Sequence, residues 1–403
     1  MKVALSTIGK FHTFDMAREL HARGHELTIF TGYPRFKLRD EGLPQASIRT
    51  FPWLHSTYVM LGTRWGYDSA FMRELAHWNL ETFCSYVTRH IPECDVYTGL
   101  SSSAGDAGRI VKARGGRYIC DRGSSHIRIQ DEILAEEHDR WGIPRVRTDP
   151  RIIAREEHEY ELADVVTVPS SFSYRSFIEA GFPERKLRLI PYGVNLSRFQ
   201  KVGQANPDTF DVLFVGGVNI RKGIPYLLKA FARVEHRAAR LTVVGAWEPA
   251  MMAWLRGSGL PLERVEFAGS MPQPRLKEVM SRSHVMVLPS VEEGLALVQA
   301  EALACGCPVI ATYNTGGEDL FTDGEEGYIV PIRNVDSLAV AMQVLADDPY
   351  RQRRMSEAAL ARVRRLGGWS AYGGRVAALM EELANRSPPA VEAVRGELAG
   401  SGT

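Results

Sequence analysis

The chain has 403 residues, and its 49 Lys and Arg residues against 48 Asp and Glu residues leave a formal net charge of +1. This balance argues against bulk nucleic-acid binding, which favours a strongly basic face, and the length predicts two or more domains. The five cysteines are dispersed and no apolar run approaches the length of a membrane span, so we expect a soluble, cytoplasmic protein with free thiols and no zinc site.

The first half of the chain alternates short apolar strands with helices. Its start predicts a strand, a glycine turn at Gly9, a helix and a second strand, which together form a βαβ unit over residues 3–31. Beyond it the pattern predicts strands at 95–98, 117–120 and 164–169 and helices at 154–162 and 171–180. The aromatic-rich stretch between them, 53–90, follows neither the strand nor the helix period clearly.

A polar stretch with Gly and Pro at 195–209 predicts an interdomain linker. A second alternating series follows, with strands at 212–215, 241–244, 265–267 and 285–288 and helices at 224–233 and 273–281. Such alternation predicts parallel sheets with helices on both faces. The fold class is therefore α/β, with two Rossmann-like domains, 1–195 and 196–368, that face each other across a deep cleft. The tail, 386–403, is expected to be mobile.

The segment 289–319, PSVEEGLALVQAEALACGCPVIATYNTGGED, carries the densest chemical signal. Glu293 lies in a loop, and Glu301 lies eight positions further on, inside the next helix. At the start of that helix the dipole favours an anion, and three backbone N–H groups would be free to bind it, those of Leu295, Ala296 and Leu297. A phosphate at the helix end and a sugar hydroxyl on each carboxylate would satisfy all these groups. The segment therefore predicts a nucleotide-sugar site.

Other loops at the carboxyl ends of the predicted strands are also candidates, because ligands of open α/β sheets bind there. Arg221 and Lys222 follow the first strand of the second domain beside glycines, and two adjacent cations suit a diphosphate. In the first domain the segment 121–126, DRGSSH, follows a strand in the same way. Further loop residues with this placement are Gly9, Gly217, Met271, Gly316 and Glu318.

The segment 289–319 resembles the Glu-x7-Glu motif of retaining glycosyltransferases of the GT-B fold, family 4 type. The shared features are the PS before the motif, the EG pair, the EA inside the helix, the GCPVIAT strand and the following GG. Similar enzymes usually carry Glu-Gly-Phe-Gly, whereas Leu295 and Ala296 take the last two places here; Ala still allows a close backbone approach. The resemblance implies that the last helix, about 369–385, crosses back onto the N-terminal domain.

The resemblance also implies roles for the candidate residues. It assigns Glu293 to the donor sugar and Glu301 to the two ribose hydroxyls, and it assigns the leaving diphosphate to Lys222 and Arg221. In similar enzymes the arginine directly follows the first glycine, a place that Gly217 occupies here. The loop of Gly9 would lie opposite the donor phosphates, and Met271 would contact the base of the nucleotide. The start of the helix, at Leu295, Ala296 and Leu297, would bind a phosphate. Gly316, Glu318 and, from the first domain, His126 would lie near the donor sugar.

Three candidates, Arg122, Trp65 and His12, have both a functional and a structural interpretation. Arg122 would contact a phosphate or the acceptor, or have a structural role. Trp65 belongs to a group of aromatic residues that would line an acceptor groove or pack in the core. His12, near Gly9, is either a further site residue or a structural histidine. Glu292 is expected to be a surface acid beside the functional Glu293.

The sequence contains no Asp-x-Asp pair, so we expect metal-independent turnover with no cofactor. The prediction is a retaining glycosyltransferase that moves a sugar from a nucleoside-diphosphate sugar, with a UDP-sugar favoured, to an acceptor hydroxyl. A lipid-linked acceptor would bring the protein into peripheral contact with a membrane. The alternatives are another GT-B enzyme, either a nucleotide-sugar epimerase or a glycan phosphorylase, and a non-catalytic nucleotide-sugar binding protein. A dehydrogenase is disfavoured because no Gly-x-Gly-x-x-Gly follows the first strand.

Overall fold

The computed structural model describes residues 1–67, 69–144, 147–195 and 198–385, and within them the chain forms two parallel sheets packed against helices. The predicted α/β architecture with two Rossmann-like domains is confirmed. The tail that we expect to be mobile, 386–403, lies outside the described residues, and so does the side chain of Trp65.

The first domain is built on a sheet with the strand order β3-β2-β1-β4-β5-β6-β7 in the described chain. Its strands are β1 (Lys2–Thr7), β2 (Glu26–Thr31), β3 (Ile48–Thr50), β4 (Val96–Leu100), β5 (Arg117–Asp121), β6 (Val165–Val168) and β7 (Leu187–Leu189). Every neighbouring pair runs parallel. The central strands β1, β4, β5 and β6 are buried almost throughout, which is expected where helices cover both faces of a parallel sheet.

In the described part of this domain the α-helices between the strands are α1 (Thr13–Ala22), α2 (Trp53–Trp65), α3 (Ala70–His90), α4 (Ala107–Ala113), α5 (Ile127–Trp141), α6 (Pro150–Leu162) and α7 (Ser171–Glu179). The aromatic-rich stretch therefore forms the helices α2 and α3. The start of α6 has a clear sequence cause, because Asp149 accepts a hydrogen bond from the Arg151 N–H at 2.9 Å and Pro150 takes the first helical position.

The second domain has the strand order β10-β9-β8-β11-β12-β13 in the described chain. The strands are β8 (Phe210–Val215), β9 (Ala239–Val244), β10 (Val265–Gly269), β11 (Val285–Leu288), β12 (Val309–Thr312) and β13 (Gly327–Val330). Its helices are α8 (Ile224–Phe231), α9 (Pro249–Gly257), α10 (Gln273–Arg282), α11 (Leu297–Ala304), α12 (Val335–Asp347) and α13 (Pro349–Leu366), and α14 (Trp369–Asn385) follows them.

The helix α14 packs on the first domain. Its residues Tyr372, Val376 and Met380 share one buried cluster with Phe14 and Leu20 of α1. The chain thus passes between the domains twice, and the two passages touch where Val194 and Gly368 form a parallel β-bridge. The two connections between the domains therefore lie side by side.

The strand orders place a crevice at the carboxyl edge of each sheet. In the first sheet the order reverses between β1 and β4, and in the second between β8 and β11. Loops that leave neighbouring strands in opposite directions open a crevice at the carboxyl ends, where α/β proteins bind ligands. Among the described helices none is long and apolar enough to cross a lipid bilayer.

Candidate functional site

Glu293 lies among cations at the carboxyl edge of the second sheet. Its Oε1 forms ion pairs with Lys222 and, at 3.2 Å, with Arg221. The loop after β8 brings these cations here: the Val291 N–H donates to the Arg221 carbonyl at 2.8 Å. Gly223 allows the close approach, since its φ is +68° and an added Cβ would lie 2.0 Å from the Pro289 carbonyl oxygen. The structure therefore brings together the predicted residues Glu293, Lys222 and Arg221.

Glu292 is not a surface acid, so that prediction is wrong. Its side chain is fully buried, and its Oε1 accepts hydrogen bonds from the hydroxyls of Ser124 at 2.6 Å and Ser125 at 2.7 Å. Gln130 donates to the other carboxylate oxygen at 3.1 Å. These three partners belong to the first domain, so Glu292 links the domains. Burial opposes ionisation, but the charge of Arg221 and the hydrogen bonds from Ser124 and Gln130 hold the pKa of Glu292 below its usual value.

The helix start after Glu293 differs in detail from the prediction. The helix α11 begins at Leu297, and this residue lines the interdomain cleft. The Ala296 N–H is not free, because it donates to the Thr315 carbonyl at 3.2 Å, and the side chain of Leu295 is buried. The anion-binding end of the helix dipole is therefore at Leu297, one turn before Glu301.

The carboxylate of Glu301 has no hydrogen-bond or ion-pair partner among the described residues, although it is partly buried. Burial raises the pKa of Glu301 to about 7. A partly buried carboxylate without a partner is costly unless a ligand supplies donors, and the two hydroxyls of a ribose would do so.

The glycine turn after β12 contacts the first domain. Gly316 has a φ of +72°, and an added Cβ would lie 2.8 Å from the Ser170 Cβ. Glu318, predicted near the sugar, forms an ion pair with Arg175 of α7 at 2.5 Å. Its neighbour Asp319 accepts from the N–H and the hydroxyl of Ser171 at 2.7 and 2.6 Å. This turn therefore holds the domains together, and the sequence pattern contained no signal for the role of Asp319.

The histidine predicted near the donor sugar is buried in the first domain. His126 occupies the cap position of α5, its ring packs on Tyr160 and Phe177, and burial lowers its pKa to about 4. His126 is therefore packed among aromatic residues of the first domain, and its contact with the donor sugar stays a prediction.

Arg122 is buried as well. Its guanidinium pairs with Glu156 at 2.8 Å, donates to Gln130 at 2.8 Å and donates to the Ser125 carbonyl at 2.9 Å. These bonds fix the loop that carries Ser124 and Ser125. The structure thus supports the structural interpretation of Arg122 over contact with an acceptor.

The remaining predicted donor residues lie at loop positions. The Gly9 carbonyl accepts from the hydroxyls of Thr7 and Thr31, which pins the first-domain loop. Gly217 follows β8, and Met271 packs on the second-domain core at the start of α10. Between the domains a cavity of about 820 Å³ is lined by Lys10 and His12 on one side and by Leu297 on the other.

Family models and related sequences both match this chain along most of its length. Residues 10–198 match the model of Glycosyltransferase Family 4, and residues 197–362 match the model of glycosyl transferases group 1. A D-inositol 3-phosphate glycosyltransferase of Thermomonospora curvata is 28% identical over 394 residues, which covers 90% of this chain and 87% of that protein. A GDP-mannose-dependent alpha-(1-6)-phosphatidylinositol monomannoside mannosyltransferase of Mycolicibacterium smegmatis is 26% identical, with 89% and 91% covered.

Solved structures show the same fold. Sucrose-phosphate synthase of Thermosynechococcus elongatus superposes with a TM-score of 0.72 at 23% identity, covering 95% of this chain and 99% of that one. HepE of Anabaena, solved in complex with UDP and glucose, has a TM-score of 0.66 at 16% identity, with 95% and 100% covered. The two-domain arrangement found here is thus the GT-B fold.

Proposed function

Because the chain belongs to the glycosyltransferases of group 1 and family 4, we propose that it transfers a sugar from a nucleoside-diphosphate sugar to an acceptor hydroxyl. The observation that carries the proposal is the cluster of Glu293, Lys222 and Arg221 beside the start of α11. It combines two cations for a diphosphate, a helix N-terminus for its anionic oxygens and a carboxylate for the sugar.

The cluster suits a leaving diphosphate. Without a ligand, Lys222 and Arg221 are paired with Glu293, so their charge is held in place and partly neutralised. A bound diphosphate would take over the cations and leave Glu293 to accept hydroxyls of the sugar. As the bond from the sugar C1 to the diphosphate breaks, negative charge grows on the diphosphate, and the fixed cations stabilise it without reorganisation.

The finer features of the reaction belong to the same proposal. Retention of configuration is implied by the resemblance to the Glu-x7-Glu enzymes. Metal-independent turnover is supported by Lys222 and Arg221, which supply the positive charge that Mg²⁺ provides in other transferases. A UDP-sugar is favoured as donor, and the complex of the Anabaena protein with UDP and glucose supports this choice. GDP-mannose, the donor named for the mycolicibacterial relative, is the competing donor.

A donor panel tests the proposal. UDP-, GDP- and ADP-sugars are incubated with the protein in EDTA, and nucleoside-diphosphate release and donor identity are followed by mass spectrometry and NMR. We expect slow release from one donor, with the UDP-sugar first. Conversion of a donor into its epimer would assign the protein to the epimerases instead. Tight binding of a donor without release, even with acceptors present, would support the non-catalytic alternative.

A substitution of Lys222 tests whether this cluster binds the leaving diphosphate. Lys222→Ala should lower the release rate by about a hundredfold or more, because one fixed charge on the leaving group is lost. Lys2→Ala is the matched control, since Lys2 is exposed at the amino end of β1, away from the carboxyl edge where the site lies. Equal rates for Lys222→Ala and the control would contradict the assignment of the diphosphate to this cluster.

A further inference from the structure

Another cavity lies between the domains, apart from the one that Leu297 lines. Its volume is about 660 Å³. The helix α5 and the turn after it form its wall in the first domain, and the loops after β8 and β9, together with α9, form its wall in the second. Cavities of this size between two domains are common sites for small ligands.

The wall of this cavity is rich in apolar and aromatic side chains. Leu134 and Ile143 line it from the first domain, and Trp247, Met251 and Trp254 line it from the second. The Trp247 side chain is 37% exposed, although its ring packs edge-on against a neighbouring phenylalanine. Rigid indole rings with exposed surface offer a large contact to a flat apolar group, and they supply few partners for the many hydroxyls of a bare sugar.

The cavity borders the cations that we assign to the leaving diphosphate. Arg221 lines it, and the guanidinium Nη1 of this residue is 3.2 Å from Oε1 of Glu293. Asn219 lines it too, and its Oδ1 accepts a hydrogen bond from the Lys222 N–H at 3.0 Å. A ligand in the cavity would therefore lie next to the donor cluster.

The cavity and the helix α11 lie on opposite faces of the second sheet. Successive residues of β8 point to opposite faces. Phe214 packs in one buried cluster with Leu227 of α8, and Leu213 packs in another with Leu303 of α11. The helix α5, which lines the cavity, contacts the α8 face. The cavity therefore reaches the cations from the side opposite the helix whose start would bind a phosphate.

We propose that this cavity binds the acceptor, and that the acceptor carries a flat apolar group near its reactive hydroxyl. The proposal rests on the proposed function. Same-face attack requires the acceptor hydroxyl to lie beside the departing oxygen, and a cavity bordered by Arg221 meets this requirement. The hydroxyl oxygen bonds to the sugar C1 as the bond from C1 to the diphosphate breaks with its electron pair on the diphosphate, which takes up the hydroxyl proton.

A pair of matched probes tests this acceptor class. The probes are 2-naphthyl β-D-glucoside and methyl β-D-glucoside, which present the same sugar hydroxyls and differ in the apolar group. Calorimetry on the full chain, alone and with UDP, gives both Kd values without any need for turnover. We expect the naphthyl glucoside to bind at least about tenfold more tightly, because its rings are removed from water in the cavity.

A substitution locates the preference in this cavity. Trp247→Ala should reduce the preference for the naphthyl glucoside to about twofold or less, and Trp247→Phe should keep most of it, because a phenyl ring retains the stacking surface. Trp78→Ala is the matched control, since Trp78 is an exposed tryptophan on α3 and should leave the preference at its wild-type value. A ratio of two affinities is insensitive to a general loss of folded protein.

Turnover then tests the acceptor role. With the donor that the panel identifies, the naphthyl glucoside should give a glycosylated product by mass spectrometry, at a rate at least about tenfold above that for the methyl glucoside at equal concentration.

Four outcomes would overturn the proposal. Equal affinity of the wild-type protein for the two glucosides would exclude an apolar acceptor and leave the transferase function in place. A loss of UDP affinity in Trp247→Ala, with the naphthyl preference unchanged, would assign the cavity to the nucleobase. A naphthyl glucoside that binds through Trp247 but neither forms product nor alters donor hydrolysis would be a ligand other than the acceptor. Absence of turnover with every donor would remove the proposed function, and the acceptor role with it.

Discussion

Two adjacent carboxylates, Glu292 and Glu293, have different environments and therefore different roles. Glu292 is surrounded by hydroxyl and amide donors of the other domain, whereas Glu293 lies against Lys222 and Arg221. One side chain therefore enters the domain interface and the next faces the cations. Residue type alone does not distinguish them.

As the pH rises, ionisation of Glu301 should strengthen nucleotide binding and lower the stability of the folded protein. Burial raises the pKa of Glu301 in the folded protein to about 7, above its ordinary value of 4.5. The contribution of the protonated group to stability is complete below about pH 4.5 and is lost as the pH rises through 7. Glu301→Gln should therefore be more stable than wild type at pH 8, by roughly 1–3 kcal/mol, and similar to it at pH 5.

The measurements are urea unfolding and nucleoside-diphosphate titration at both pH values. The variant should bind the nucleotide more weakly at pH 8, where the wild-type carboxylate accepts ribose hydroxyls. Glu325→Gln, at an exposed site, is the control. Equal stability of the Glu301 variant and wild type at pH 8 would contradict a buried, partnerless carboxylate.

At the scale of elements, the loop between β11 and α11 needs a glycine because another loop crosses it. An added Cβ at Gly294 would lie 1.9 Å from the Gly123 carbonyl oxygen, a backbone atom that cannot move aside cheaply. The loops after β5 and β11 therefore close on each other without a side chain between them. This contact brings the first domain against the donor cluster.

Gly294→Ala should prevent this closure. Because chemistry in a two-domain cleft requires closure to exclude water, we expect kcat for transfer to fall by about tenfold or more and the donor KM to rise. Gly257→Ala is the control, as an added Cβ there meets no atom within 4 Å. The measurement is steady-state kinetics with the identified donor. An unchanged kcat and KM in Gly294→Ala would show that the contact between Gly123 and Gly294 does not limit the reaction.

For the whole molecule, polar contacts between the domains hold the cleft together. Glu292 binds Ser124, Ser125 and Gln130, and Arg333 pairs with Glu137 of α5 at 2.6 Å. The interface is therefore stabilised by buried charges with partners on the opposite domain. Such pairs are sensitive to the loss of one member, which leaves the other buried without a partner.

Glu292→Ala should open the ligand-free protein. The lost carboxylate leaves two hydroxyls and an amide unsatisfied at the interface, at a cost of about 2–5 kcal/mol. Small-angle scattering should show a larger radius of gyration than for wild type, and bound donor should reduce the difference. Glu325→Ala, which changes an exposed acid, should scatter as wild type does. Identical scattering of the Glu292 variant and wild type would show that Glu292 does not hold the domains of the ligand-free protein together.

Predictions from sequence succeeded where the pattern is local. Apolar runs located β1, β8 and β11. The motif indicated Glu293 and the loop after β8 indicated Lys222 and Arg221, and the structure brings these three residues together. The helices α2 and α3 were not recognised, because their apolar residues do not follow one face. The packing of the His126 ring on Tyr160 and Phe177 joins separate elements, so no local pattern indicated it.

The sequence alone determined the alternation of strands and helices, the two-domain α/β class and the family, since these depend on periodicity and on residues close together along the chain. Only the tertiary structure decided the burial of Glu292, the ion pair of Glu318 with Arg175 and the pairing of His12 with Asp121. Each of these contacts joins residues more than 100 positions apart. Their partners come together only when the sheets have formed and the domains have met, so no local pattern encodes them.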